Sequence, residues 1–277
     1  VSKTKELKEY QDAPSSQEEL EKIPMLELSD IKREPAKDYN DVKSVDGIKI
    51  VHHNIFTNKI AYINLSFDTK CVTDELIPYM GLLGSTLSLM DTKNYTYPEL
   101  TNEININCGG LATGTALYSD KVDFSKNTIV YEVKSKALYE KVPFVLGMME
   151  EIMYNTRFDD YKRLKEIIAR IKSRLEASLM GQGHSIAMLE CCAQFSDILR
   201  GYKYYEFIKK LDEEFEQNKT QIVEKLNMLV GYIFNKDNVI ISLTADDEGY
   251  DCFAKALSAK SCNIKDEHFN TAVRSFT

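Results

Sequence analysis

Few residues in this chain of 277 have the types and spacing that metal binding or nucleophilic catalysis requires. His52 and His53 are adjacent on a predicted strand, so their side chains point to opposite faces of a sheet. His184 and Cys191 share one face of a predicted helix but lie about 10 Å apart along its axis. Neither pair can hold one metal ion, and His184 cannot reach the thiol to activate it. We therefore expect a structural histidine and buried, unreactive cysteines.

The segment from Pro78 to Ser119 contains a helical spacing that is suited to metal binding, but without metal ligands. Tyr79, Leu82 and Leu83 stand at positions i, i+3 and i+4, which share one face of a helix. At this spacing, H-x-x-E-H places two imidazoles on a metal ion and a carboxylate beside its bound water. Leucine has no lone pair to donate, and a tyrosine phenol with an ordinary pKa of about 10 is a poor ligand at neutral pH. The spacing predicts an intact helix with an apolar face.

The residues around this helix resemble the active domains of the insulinase/pitrilysin-type inverted zincin metallopeptidases. In those domains P-H-x-x-E-H is followed by a short loop, a Tyr-Pro pair with a glutamate after it, a Gly-Gly pair and an alternating strand. Here Tyr97-Pro98, Glu103 and Gly109-Gly110 match these features. The three chemical positions of the family motif fall on Tyr79, Leu82 and Leu83. The resemblance implies that this chain has no catalytic residue and no metal ligand of its own.

Two further segments resemble the presequence-protease branch of that family. One is the sequence IPMLELSDI ending at Ile31, and the other combines Gly183-His184-x-x-Ala187 with Gly201-Tyr202-x-Tyr204-Tyr205-x-Phe207-Ile208. The resemblance implies a parent of four related α+β domains, arranged as two halves that close around unstructured peptides. It implies that residues 1–40 are the end of the helical linker between the halves and 41–277 the non-catalytic third domain. Zinc is then bound outside this chain, in the catalytic N-terminal half of the same polypeptide.

Hydrophobic periodicity independently predicts an α+β domain. Strands are predicted at Ile48–His53, Ile60–Phe67, Leu111–Tyr118, Thr128–Val133 and Val239–Thr244. Helices are predicted at Asp74–Met90, Pro98–Asn107, Lys136 to Met228 with breaks at Asn155, Gly181–Gly183, Gly201 and Asn218, and Tyr250–Ala259. Paired strands with segregated helices favour an antiparallel β-sheet covered by helices on one face. The resemblance implies the same arrangement, the metalloprotease-like α/β roll.

The N-terminal segment has the pattern of a connector. Ser16 and Glu19 form a capping-box pattern that predicts a helix start, and Pro24 is expected to end that helix. Ile23–Ile31 alternates apolar and polar side chains, which predicts an extended segment laid along a larger body. Because Val1 is not a methionine, we expect a processed or excised fragment whose targeting signal would lie upstream.

Composition narrows the partners and the compartment. A net charge of −8 argues against nucleic-acid binding, which requires a basic face. The longest apolar run, Ile77–Met90, is shorter than the ~20 residues of a membrane span, so no membrane partner is expected. The six cysteines show no C-x-x-C spacing, which indicates reduced thiols in the cytoplasm, although an organelle matrix fits equally well.

The strand after Gly109-Gly110 is the predicted place of peptide contact. An extended peptide can add to a sheet edge through backbone hydrogen bonds, and glycines allow its close approach. The candidate residues are Gly110, Leu111, Thr113 and Thr115. An interior strand without a binding role is an equally open alternative.

The sequence thus indicates a non-catalytic domain of a zinc-dependent metalloendopeptidase that degrades short unstructured peptides in a closed chamber. The fragment would form chamber wall and contact the other half, and alone it would be inactive. A structural scaffold subunit of the same degenerate fold and a stand-alone peptide-binding module are the alternatives.

Overall fold

A computed structural model describes residues 2–34, 39–123, 127–192 and 204–260. The chain divides into two units, residues 1–38 and 39–277. The first unit contains helices α1 (Ser2–Asp12) and α2 (Gln17–Leu20). Ser16 and Glu19 form the predicted capping box, in which the backbone N–H of Ser16 donates to Glu19 Oε2 over 2.8 Å. A 3₁₀ turn at Leu28–Asp30 replaces the last part of the predicted extended segment.

The second unit is built on a six-stranded sheet. Its strands are β1 (Asp41–Val45), β2 (Ile48–Asn54), β3 (Ile60–Asp68), β4 (Leu111–Ser119), β5 (Asn127–Leu138) and β6 (Val239–Ala245). Their order in the sheet is β1-β2-β6-β3-β5-β4. All pairs are antiparallel except β2 with β6. The predicted α+β class is confirmed, and the parallel pair arises because β6 inserts between β2 and β3.

Eight helices accompany this sheet within the described residues. They are α3 (Ile77–Thr86), α4 (Tyr97–Asn107), α5 (Val142–Tyr154), α6 (Tyr161–Gly181), α7 (Gly183–Cys192), α8 (Tyr204–Glu213), α9 (Phe215–Ile233) and α10 (Asp247–Ser258). Alternate residues of the central strands, including Ile63 and Leu243, are buried in the hydrophobic core with the helices. Tyr62 and Ile240, on the opposite face of the sheet, are nearly half exposed. Among the described helices, none is both long and apolar enough to cross a membrane.

Three predicted boundaries are wrong, each for a local reason. The helix predicted over Asp74–Met90 is a 3₁₀ turn followed by α3, which ends at Thr86. The predicted helical block begins too early, because β5 continues to Leu138 with Ala137 buried opposite Ala61. The break predicted at Asn218 lies inside α9, where the Asn218 amide donates to Glu214 Oε2. The break predicted at Gly201 lies outside the described residues.

Candidate functional site

The helical face that would carry the metal ligands is packed into the core. Leu82 and Leu83 are completely buried and Tyr79 is 7% exposed. The Tyr79 ring meets Phe207 of α8 edge-on, with ring centroids 4.8 Å apart. All three side chains lie on α3, so the i, i+3, i+4 face is now part of a helix–helix contact. Its present role is packing.

Tyr79 is also held by a cation. The Lys225 ammonium lies 4.8 Å from the centroid of the Tyr79 ring and 2.6 Å from Glu75 Oε1. Burial raises the pKa of Tyr79 above its ordinary value, and the nearby Lys225 offsets only part of that rise. The phenol is therefore neutral at physiological pH. A neutral phenol beside two leucines does not fit a zinc ion, which requires thiolate, imidazole or carboxylate ligands.

Helix α3 lies directly on strand β4. The Thr113 hydroxyl donates to the carbonyl oxygen of Gly84 over 2.9 Å. A Cβ atom on Gly84 would stand only 3.3 Å from Gly114 Cα and from the Thr113 carbonyl oxygen. One turn earlier, a Cβ on Gly81 would stand 2.9 Å from the Tyr204 ring. Glycines at these two positions allow the helix to approach the strand and α8 closely.

Strand β4 lies at the edge of the described sheet. It pairs with β5 on one side, and no described strand pairs with its other side. Gly110 precedes it with a φ of 102°, which only glycine adopts without strain, and its carbonyl accepts a hydrogen bond from Ser135. Leu111 and Thr113 are half-buried and Thr115 is exposed. The alternative of an interior strand is wrong for this sheet, and an edge strand has the backbone groups that an extended peptide pairs with.

A cleft of about 550 Å³ opens between α3, β4 and α6. Ser85 and Ser88 line it from the α3 side, while Arg170 and Arg174 line it from α6. Both arginines are exposed, and neither forms an ion pair with the described residues. Sequence reasoning missed them, although two arginines four residues apart on an amphipathic helix would have been a usable signal.

The charge of this cleft opposes a metal ion. Two guanidinium groups on one wall repel a cation, and the facing wall offers the hydroxyl groups of Ser85 and Ser88. Within the described ranges, no group of three or more histidine, cysteine or carboxylate side chains has the geometry of a metal site. The donors in the cleft therefore fit an anion better than a cation.

The remaining candidate residues are placed apart from the cleft. His52 is buried, with Nε2 2.9 Å from the Ala245 carbonyl oxygen and Nδ1 3.0 Å from the Lys43 ammonium. Because the ammonium and the carbonyl have fixed roles, Nδ1 accepts and Nε2–H donates. His53 points to the other face and meets Ser242, as the strand alternation predicts. Cys191 is exposed, so the expectation of buried cysteines is wrong there.

Comparison with known proteins identifies the family. The family model described as peptidase M16 (subfamily C) associated matches residues 1–211. The chain belongs to this peptidase M16-associated family. Protein HypA of Clostridium perfringens is 35% identical to this M16-associated chain over 281 residues, covering 98% of the chain and 29% of the relative. Presequence protease 1, chloroplastic/mitochondrial, of Arabidopsis thaliana is 28% identical over 250 residues, covering 88% of the chain and 23% of the relative.

Solved structures share the fold of this M16-associated chain. A peptidase M16 inactive domain from Pseudomonas fluorescens superimposes with a TM-score of 0.56 and 15% identity, covering 84% of the chain and 53% of that structure. A conserved protein from Enterococcus faecalis gives a TM-score of 0.59 with 14% identity, covering 84% and 54%. The resemblance to the presequence-protease branch is confirmed. The chain spans less than a third of the length of the two relatives named above.

Proposed function

We propose that this chain is the linker end and non-catalytic third domain of a zinc-dependent metalloendopeptidase that degrades short unstructured peptides in a closed chamber. The main support for this proposal is the apolar, buried face of Tyr79, Leu82 and Leu83 in a chain of the peptidase M16-associated family. Zinc would be bound in the catalytic N-terminal half of the same polypeptide. The domain would form chamber wall and contact that half.

The exposure of the N-terminal unit supports the assignment of residues 1–40 as a linker. None of its described residues is buried, and Met25, Leu26 and Leu28 are more than 80% exposed. Apolar side chains in a segment without its own core are suited to packing on another surface. Residues 41–277 would then be the domain that this linker joins to the first half.

The outer edge of β4 supports contact with peptides. Thr113 and Thr115 of this strand line the cleft, and Leu111 at its start and the preceding Gly110 offer further backbone groups with which a peptide could pair. The domain would thus guide peptides in addition to enclosing them. Cys71, Cys108, Cys191 and Cys252 form no disulfide in the described part of the chain, which suits a reducing compartment, the cytoplasm or an organelle matrix.

A cleavage assay on two proteins tests the proposal. The complete polypeptide that carries this sequence, and this chain alone, would each be mixed with internally quenched unstructured peptides, with zinc and with a chelator. We expect zinc-dependent cleavage by the complete polypeptide and none by the chain alone. Zinc-dependent cleavage by the chain alone contradicts the non-catalytic role. A zinc-loaded complete polypeptide that stays inert favours the scaffold alternative.

A further inference from the structure

The two arginines of the cleft stand out among the cations of α6. Of the other basic residues on this helix, Lys165 lies 2.9 Å from Glu216 and Lys172 lies 2.7 Å from Asp212. Lys162 also has no acidic partner among the described residues, but it does not line the cleft. Arg170 and Arg174 have no such partner in the described part of the chain. In a protein with 43 acidic and 35 basic residues, excluding histidine, two neighbouring guanidinium groups without an acidic partner among the described residues form a local exception to the overall charge.

The position of these arginines beside the edge of β4 indicates which ligand the cleft can bind. Both line the same cleft as Thr113 and Thr115 of β4. An extended peptide that pairs with β4 would place its alternate side chains on the side of the sheet that α3 and α6 cover. A carboxylate among those side chains could accept charge-assisted hydrogen bonds from the planar guanidinium forks.

We propose that this cleft binds an extended peptide segment with an acidic side chain, which adds to the edge of β4 and is held by Arg170 and Arg174. This inference extends the proposed function. It rests on that function only where it takes the bound peptide to be a substrate. It assigns the domain a preference opposite to the one its net charge of −8 would suggest, which is for basic peptides.

The hydroxyl groups of the facing wall complete the site. Ser88 can donate to the same carboxylate or to the peptide backbone. Ser85 already donates to the Gly81 carbonyl oxygen over 3.2 Å, so its oxygen can also accept a hydrogen bond from a peptide N–H. The wall therefore suits a ligand with both donors and acceptors, as a peptide backbone has.

Peptide binding by the 277-residue chain tests the inference directly. The probes are fluorescent peptides blocked at both ends, identical except for one central Glu or Gln, and a Glu peptide with alternate backbone nitrogens methylated. Anisotropy titrations give the dissociation constants. We expect the Glu peptide to bind about tenfold more tightly than the Gln peptide, as two exposed charge pairs allow. Methylation should weaken binding further, because it removes the backbone donors.

Paired variants assign the effect to the arginines. Arg170→Gln with Arg174→Gln should abolish the difference between the Glu and Gln peptides. Arg157→Gln with Lys162→Gln removes two charges from residues that do not line the cleft, and should leave the difference intact. Circular dichroism verifies that each variant is folded. The inference is overturned if the arginine variant keeps the preference, if the methylated peptide binds equally well, or if the Glu peptide does not bind at about 1 mM.

The outcome is separable from that of the proposed function. Binding is measured without any catalytic half, so an inert complete polypeptide with normal binding overturns the proposed function alone. A complete polypeptide that cleaves peptides without any effect of the arginine substitutions overturns this inference alone.

Discussion

Helices α3 and α6 form facing walls of the cleft. Helix α3 also buries Tyr79, Leu82 and Leu83 in the core, where none of them lines the cleft, whereas α6 exposes Arg170 and Arg174 to the cleft. The two helices border the same cleft, but these two sets of side chains differ in the contacts that fix them. Packing fixes the residues of α3, so changes there should alter stability. No described partner fixes the arginines, so changes there should alter binding and leave the fold intact. We therefore expect the motif positions of α3 to act through packing and the two arginines of α6 to act through binding.

The largest expected effect comes from restoring the metal motif. The variant Tyr79→His, Leu82→Glu, Leu83→His places polar groups at positions that are 0–7% exposed. Burial of unpaired polar and charged groups should cost more than the roughly 5–15 kcal/mol by which a domain is stable. We expect loss of cooperative unfolding in a thermal melt, with or without zinc.

A matched control puts the same residue types at exposed positions. Tyr62→His, Leu138→His and Leu179→Glu replace side chains that are 39–49% exposed, and this control should still unfold cooperatively. A folded motif variant that binds one zinc ion per chain would show that the α3 face is not committed to packing.

A single truncation on α3 should have the next largest effect. Leu82→Ala removes a completely buried side chain, and such cavities typically cost about 2–5 kcal/mol. Urea denaturation of the variant and the parent chain measures the difference in the free energy of unfolding. Leu117→Ala, at a position 43% exposed on β4, is the control. Equal losses at the two positions would contradict the assignment of Leu82 to the core.

A pH-dependent effect is expected at Tyr79. Because burial raises its pKa, the folded chain holds the phenol proton more tightly than the unfolded chain does. This stabilisation is complete below about pH 10 and is lost as the pH rises through the folded-state pKa. Tyr79→Phe should therefore flatten the loss of stability above pH 10, at a cost of about 1 kcal/mol at pH 7.

Urea titrations at pH 7 and at alkaline pH measure this change. Tyr62→Phe, which removes a phenol that is 44% exposed, is the control for loss of a hydroxyl group at pH 7. A steeper loss in Tyr79→Phe than in the parent chain would contradict the direction of the shift.

The smallest effect on stability is expected on the other wall. Arg170→Gln with Arg174→Gln should change the free energy of unfolding by no more than about 0.5 kcal/mol, because both side chains are exposed and make no ion pair in the described structure. Urea denaturation measures it. A loss comparable to that of Leu82→Ala would mean that the arginines support the fold, and the contrast between the walls would disappear.

The sequence predicts the central strands well because burial enforces alternation. Strands β2, β3 and β6 begin at their predicted residues and end one residue later than predicted. Strand β1 was missed, since its five residues are mostly exposed and carry a weak pattern. The turn after it was the available signal: Asp46 and Gly47 have φ angles of 49° and 83°, as the Asp-Gly hairpin preference predicts.

The candidate site was only partly accessible to sequence reasoning. The apolar face of α3 follows from helical spacing within one segment, so Tyr79, Leu82 and Leu83 could be placed together. Arg170 and Arg174 follow Leu83 only after a strand pair and two helices, and their place opposite α3 depends on how α6 packs. Local periodicity contains no information on that packing.

The insertion of β6 between β2 and β3 has a consequence for synthesis of the chain. Ile241 pairs with Ile50 on one side and with Leu65 on the other, although both partners are made far earlier. Until β6 is available, the described sheet exists only as β1-β2 and β3-β5-β4, each with an unpaired inner edge. Such distant pairing slows folding and leaves strand edges open to other chains. We therefore expect the edges of β2 and β3 to stay open to other chains until the sixth strand has been made.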